Sequence, residues 1–114
     1  MQAGNSVFRT IRCGAFEVLA SVALYRLEWE HIRTNHPTVA LFHVVDAIER
    51  PVAIYEDHLR PGNPLFAGIG ADTASGYPIR VAIKRLVHGN FVATARYSGR
   101  HFKGEQVWRP EDRS

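Results

Sequence analysis

The sequence predicts an α+β domain, with two helices early in the chain and then an antiparallel sheet whose one face they cover. Three observations predict it. Apolar residues recur at helical spacing twice between residues 24 and 49. Beyond Pro51 the pattern changes to period-two alternation, as in Ile79, Val81 and Ile83 against Arg80, Ala82 and Lys84. His88-Gly89-Asn90 then separates two such runs, which is a hairpin signal.

The elements follow in order. Residues 7–12 read as a short strand, and Gly14 interrupts it. Phe16, Val18, Ala20 and Val22 alternate as a second strand or an extended lead-in. From about Leu24 the pattern is helical, with Tyr25, Trp29 and Ile32 in one buried stripe. Leu24, Leu27 and His31 form the adjacent stripe, so His31 is expected at the border of the buried face. Proline disfavours helix in the residue before it and suits a first helical position, so Asn35-His36-Pro37 ends one helix and starts another. The second helix is expected over residues 37–49, with Leu41, Val44, Val45 and Ile48 inward, and the short break pins His36 at a corner. Strands are expected at 52–56, 65–69, around 79–83, 91–97 and 106–108. A turn cluster lies at 60–64, a loop at 70–77 and a basic loop at 98–104.

With 114 residues, one domain is expected, its core over about 16–109 and its termini short. At 46% hydrophobic residues it can bury a single modest core, and the composition argues against disorder. A formal charge of +3 suits a polyanionic partner without requiring one. A single cysteine, Cys13, permits no internal disulfide and no cysteine-based zinc cluster. The start lacks a secretion signal, and the longest apolar run is too short to span a membrane. A cytoplasmic protein without a membrane association is the expectation.

The chemistry centres on residues 27–37, which hold His31 and His36. Cleavage of RNA by its own 2′-hydroxyl needs a base for that proton and an acid for the leaving 5′-oxygen. Imidazole titrates near neutrality and serves both roles. Positive charge or hydrogen-bond donors must also surround the crowded phosphorus. Arg80 and Lys84 share one strand face, and Thr94 and Arg96 share a face of the next strand. If the hairpin pairs these faces, three cations and a hydroxyl converge; another pairing separates them.

The order of motifs resembles a known family. Trp29-Glu-His31-Ile lies near a helix end, His36-Pro37 follows, and then come an amphipathic helix, Phe91-Val-Ala-Thr94-Ala95 and Gly104-Glu-Gln-Val-Trp108-Arg109. This resembles the phage-type nuclease-like group of the barnase–EndoU–colicin–RelE superfamily, over residues 27–109. The resemblance implies two N-terminal helices on one face of a roughly four-stranded antiparallel sheet, and a small metal-independent ribonuclease, toxin or phage effector. It implies catalytic roles for His31, His36 and Thr94. The residues themselves add Arg96 as a catalytic candidate, which either takes over a phosphate-binding role or leaves the site weakened, and Arg80, Lys84, Tyr97, Arg100 and Lys103 as candidates for binding RNA. No cofactor or metal is implied. RNA and a neutralising protein are the expected partners, and the chain is a monomer or homodimer. The family usually carries tyrosine after Thr-Ala, where this chain has Arg96 and then Tyr97; a one-residue offset swaps strand faces. The loop at 70–77 is also longer than the resemblance implies.

Plainer readings stand beside these. His31 then packs on Leu27, and His36 is a linker residue. His43, His58, His88 and His101 are structural, Trp29 and Trp108 anchor the core, and Arg96, Arg100, Lys103 and Arg109 form a solvated basic face. The spacing of His31 and His36 is not that of a zinc-binding helix. The alternatives to a ribonuclease are a non-catalytic domain binding nucleic acid or protein, and a mobile-element accessory protein that dimerises or binds a small ligand through an exposed Phe42.

Overall fold

The computed structural model describes residues 5–15 and 19–113. It holds seven strands in one mixed sheet and two α-helices. The strands are β1 (Val7–Arg12), β2 (Ser21–Tyr25), β3 (Ala53–Glu56), β4 (Pro64–Ala71), β5 (Pro78–Leu86), β6 (Gly89–Tyr97) and β7 (Gln106–Trp108). The helices are α1 (Arg26–Asn35) and α2 (Leu41–Glu49), and a short 3₁₀ turn ends the chain. The spatial order is β1-β2-β6-β5-β4-β3-β7.

This corrects the expected architecture. The sheet is not a four-stranded antiparallel one below two leading helices. Two strands precede the helices, and β2 joins β6 in parallel, with Ala23 opposite Phe91. The physical reason is that pairing between segments so far apart leaves no trace in local alternation. Parallel strands require a long crossover, and here everything from α1 to β5 lies between the two partners. The expected alternation at Phe16 and Val18 lies outside the described residues; Ala20 precedes β2 and Val22 lies within it.

α1 follows β2 without a loop, because the Arg26 N–H is tied to the Ser6 carbonyl at 2.9 Å. Leu24 is therefore a strand residue, and a helical stripe cannot be anchored on it. Leu27 and His31 face solvent, against expectation, and the buried side of α1 is Trp29 and Ile32 with His36 one turn on. Trp29 stacks on Phe8, centroids 6.1 Å apart. α2 begins at Leu41 rather than Pro37; residues 37–40 form the corner, where the Val39 N–H reaches the His36 carbonyl at 3.0 Å. Val44, Ala47 and Ile48 bury its inner face against β4 and β5.

The core lies between the helices and one side of the sheet. Trp108, Ile54, Phe66, Val81 and Ala95 stand opposite one another across β7, β3, β4, β5 and β6, all buried. Gly68 lets α2 approach β4. A Cβ there would lie 2.7 Å from the Ala47 Cβ and from the Ile79 Cγ2. Gly68→Ala is expected to lose about 1–3 kcal/mol, the usual cost of overpacking, measured by urea unfolding.

The opposite side of the sheet carries Tyr55, Leu65, Ala82 and Thr94 in one cross-strand row and Arg80 and Arg96 in the next. A bulge after Ala82 sets this pattern: Ala82 faces Thr94 but Ile83 faces Val92. Val92 thus enters the core while Thr94 and Arg96 stay on the open side.

Candidate functional site

A cavity of about 460 Å³ lies on that open side. Its floor is the Leu65, Ala82 and Thr94 row with Arg80 and Arg96. Its roof is residues 98–105, which leave β6 and cross β5, β4 and β3 to reach β7 at the far edge. Arg100, His101 and Lys103 of this strap line the cavity. The β3–β4 connection adds Asp57, His58 and Arg60. His36 closes the end nearest α1.

The electrostatics are one-sided. Five cations, Arg60, Arg80, Arg96, Arg100 and Lys103, line the cavity against two carboxylates, Glu56 and Asp57. Neither acid neutralises them. Asp57 accepts the Leu59 N–H at 3.0 Å, and Glu56 reaches the Gly62 N–H at 3.4 Å. Among the described residues none of the five cations forms an ion pair. Arg60 Nη1 and Arg80 Nε are also shut off from solvent without an acceptor. Buried donors of this kind are rare in folded proteins and mark a missing partner or a functional constraint. Burial first, and then the neighbouring Arg96 charge, hold the Arg80 guanidinium below its ordinary value. Arg80 is thus a cation whose surroundings favour a nearby anion.

The structure brings together only some of the residues singled out in the sequence. His36, Thr94, Arg96, Arg80, Arg100 and Lys103 share the cavity. His31 does not; it is exposed and outside it. Lys84 lies on the open side of β5 but beyond the cavity. Tyr97 faces the core side. Its hydroxyl accepts the Ala40 N–H at 3.1 Å and sits 2.7 Å from His43 Nδ1, so it ties the start of α2 to β6. Tyr97 holds the scaffold and has no place in the cavity.

Sequence reasoning missed His58, His101 and Arg60, which line the cavity. For His101 a signal existed. Arg100-His101-Phe102-Lys103 interleaves basic and aromatic residues between two strands, a pattern suited to a nucleic-acid backbone. His58 and Arg60 sat in a turn cluster with no such signal.

No family model, curated protein or solved structure matches this chain. The site therefore rests on its own chemistry. It offers a concave, cation-lined surface with an apolar floor, a hydroxyl and three imidazoles. Cys13 supplies no nucleophile, since burial pushes its thiol up from the ordinary value and it lies in the core. Among the described residues no group of three His, Cys, Asp or Glu side chains is placed to hold a metal ion, and no helix is long and apolar enough to cross a membrane.

Proposed function

We propose that the cavity binds the phosphodiester backbone of RNA and that the protein is a small ribonuclease using histidine acid–base chemistry. One observation carries this: five cations without carboxylate partners line the same hollow as Thr94, His36 and His101. An anion with several negative oxygens is the ligand that best compensates such a wall.

His36 and His101 are the acid–base pair in this reading. They come from separate elements, the α1 terminus and the strap. His36 ends the helix that packs along β6, the strand of Thr94 and Arg96. His58 belongs to the β3–β4 connection, three strands from β6, and is left outside the pair. One imidazole removes the 2′-hydroxyl proton as that oxygen bonds to phosphorus. The other protonates the 5′-oxygen as its bond to phosphorus breaks. The products are a 2′,3′-cyclic phosphate and a free 5′-hydroxyl. Arg96 stabilises the extra charge of the five-coordinate phosphorus, and Thr94 donates a hydrogen bond to it.

The test is incubation of a mixed-sequence RNA with the protein and a chelator. Fragments ending in 2′,3′-cyclic phosphate are expected. A folded protein that neither cuts nor binds RNA removes the proposal. A second reading, RNA binding without cleavage, is favoured by one observation: of the two histidines first expected to act together, only His36 lines the cavity. Binding with no turnover would select it. In either case the affinity is expected to fall steeply with salt. Arg96→Gln and Arg100→Gln are each expected to lower the slope of log K against log salt by about 0.7, the value per phosphate contact on a single strand.

A further inference from the structure

The strap brings an aromatic stack into the cavity. Its ends are fixed by the Ser98 N–H on the Pro78 carbonyl at 3.0 Å and the Glu56 N–H on the Glu105 carbonyl at 2.8 Å. Its middle is held by Phe102. That ring lies parallel to Tyr55, 3.7 Å between centroids and 8° between planes. The Arg80 guanidinium lies 3.8 Å from the same ring centroid. Two partners this close cannot share one face, so Phe102 is sandwiched between them. The small side chains Ala53 and Ala67 stand beside Arg80 on the open side and leave the depth this stack needs.

Tyr55 does not line the cavity, whereas Phe102 and Arg80 do. The stack therefore runs inward from β3 and ends on the guanidinium. A nitrogen of that group also donates to the Arg100 carbonyl. A guanidinium held flat is a stacking surface for an unpaired base, and lysine is not. The apolar Leu65 and Ala82 lie on the floor beside it.

We propose that Arg80, held flat by Phe102 and Tyr55, is a base-stacking plate, and that the cavity selects single-stranded RNA with an unstacked base at this position. This rests on the reading of the cavity as an RNA site. Phe102 and Tyr55 are positioning residues; Arg80 touches the base. Arg96, Arg100 and Lys103 hold the backbone on either side. In a duplex the bases are stacked on each other and present no face to the plate.

The experiment compares three ligands on the full chain by fluorescence anisotropy. They are a single-stranded 2′-O-methyl octamer, which cannot be cut, its abasic counterpart of equal charge, and the octamer in a duplex. The octamer is expected to bind about tenfold tighter than the abasic chain, the lower part of the range for one stacked base. It should also bind tighter than the duplex. Phe102→Leu and Arg80→Lys, each checked for fold by circular dichroism, are expected to erase that preference; Phe102→Leu, which keeps every cation of the cavity, is expected to leave the abasic affinity within about twofold. Equal binding of octamer and abasic chain by the wild type overturns the plate while the RNA reading stands. So does a preference that survives Phe102→Leu. If the wild type binds none of the three, the RNA reading fails and the plate with it.

Discussion

Replacing His36 and His101 together by alanine is expected to abolish RNA cleavage while leaving RNA binding nearly intact. Each general acid or base contributes about 10²–10⁴ in rate, so either single variant should lose that much. Groups that act on one proton-transfer sequence are not additive, so the double variant should fall little below the worse single one. Neither side chain is needed for the core. His101 is exposed on the strap, and His36 is half-buried at the end of α1, where its backbone N–H, which survives substitution, caps Ile32 at 2.7 Å. The measurement is single-turnover cleavage of a labelled RNA beside anisotropy binding to an uncleavable analogue. His31→Ala is the internal contrast. Its imidazole lies outside the cavity, so it should cut at the wild-type rate. Loss of activity in His31→Ala with full activity in the double variant would reverse the assignment. The pH–rate profile of the wild type should be bell-shaped, and each single variant should lose one limb.

Much of the local structure was legible in the sequence, because strands and helices write their periods into neighbouring residues. The first strand and the last match their expected ranges, and the β5–β6 hairpin follows from alternation on both sides of His88-Gly89. Because the hairpin pairs Arg80 with Arg96, two of the cations share a face. What the sequence hid was non-local. The parallel contact of Ala23 with Phe91 joins segments that no short-range pattern connects, and it turns an expected four-stranded antiparallel sheet into a seven-stranded mixed one. The antiparallel pairing of β2 with β1, Leu24 opposite Arg9, makes Leu24 a strand residue. That in turn rotates the expected stripe of α1 and puts His31 in solvent, leaving His36 alone at the cavity. The strap was hidden for a similar reason. Residues 98–104 read as a basic loop, but their path over the sheet is set by β7 pairing outside β3. That topology places His101 over the floor and Phe102 between Tyr55 and Arg80.

Phe66→Ala is expected to be the most destabilising single substitution in the sheet, by about 3–5 kcal/mol, as for other buried phenylalanines truncated to alanine. Phe66 is fully buried on β4. Its flanking partners are Ile54 on β3 and Val81 on β5, both at 0% exposure. Truncation therefore opens a void with aliphatic walls on two sides and α2 behind it, and strands hydrogen-bonded on both edges of β4 cannot close inward to fill it. Domains of this size are held by only about 5–15 kcal/mol, so such a loss takes a large share of the total. The check is urea unfolding followed by tryptophan fluorescence. Trp108 stands across from Ile54 in the same cross-strand row and reports the region directly. The slope should be unchanged and the midpoint should drop, because the native surface is preserved. Phe66→Leu keeps most of the volume and should lose well under half as much. Equal losses for the two variants would mean that the site collapses freely, and the row of side chains that supports the cavity floor would then not be the rigid base that the proposed chemistry needs.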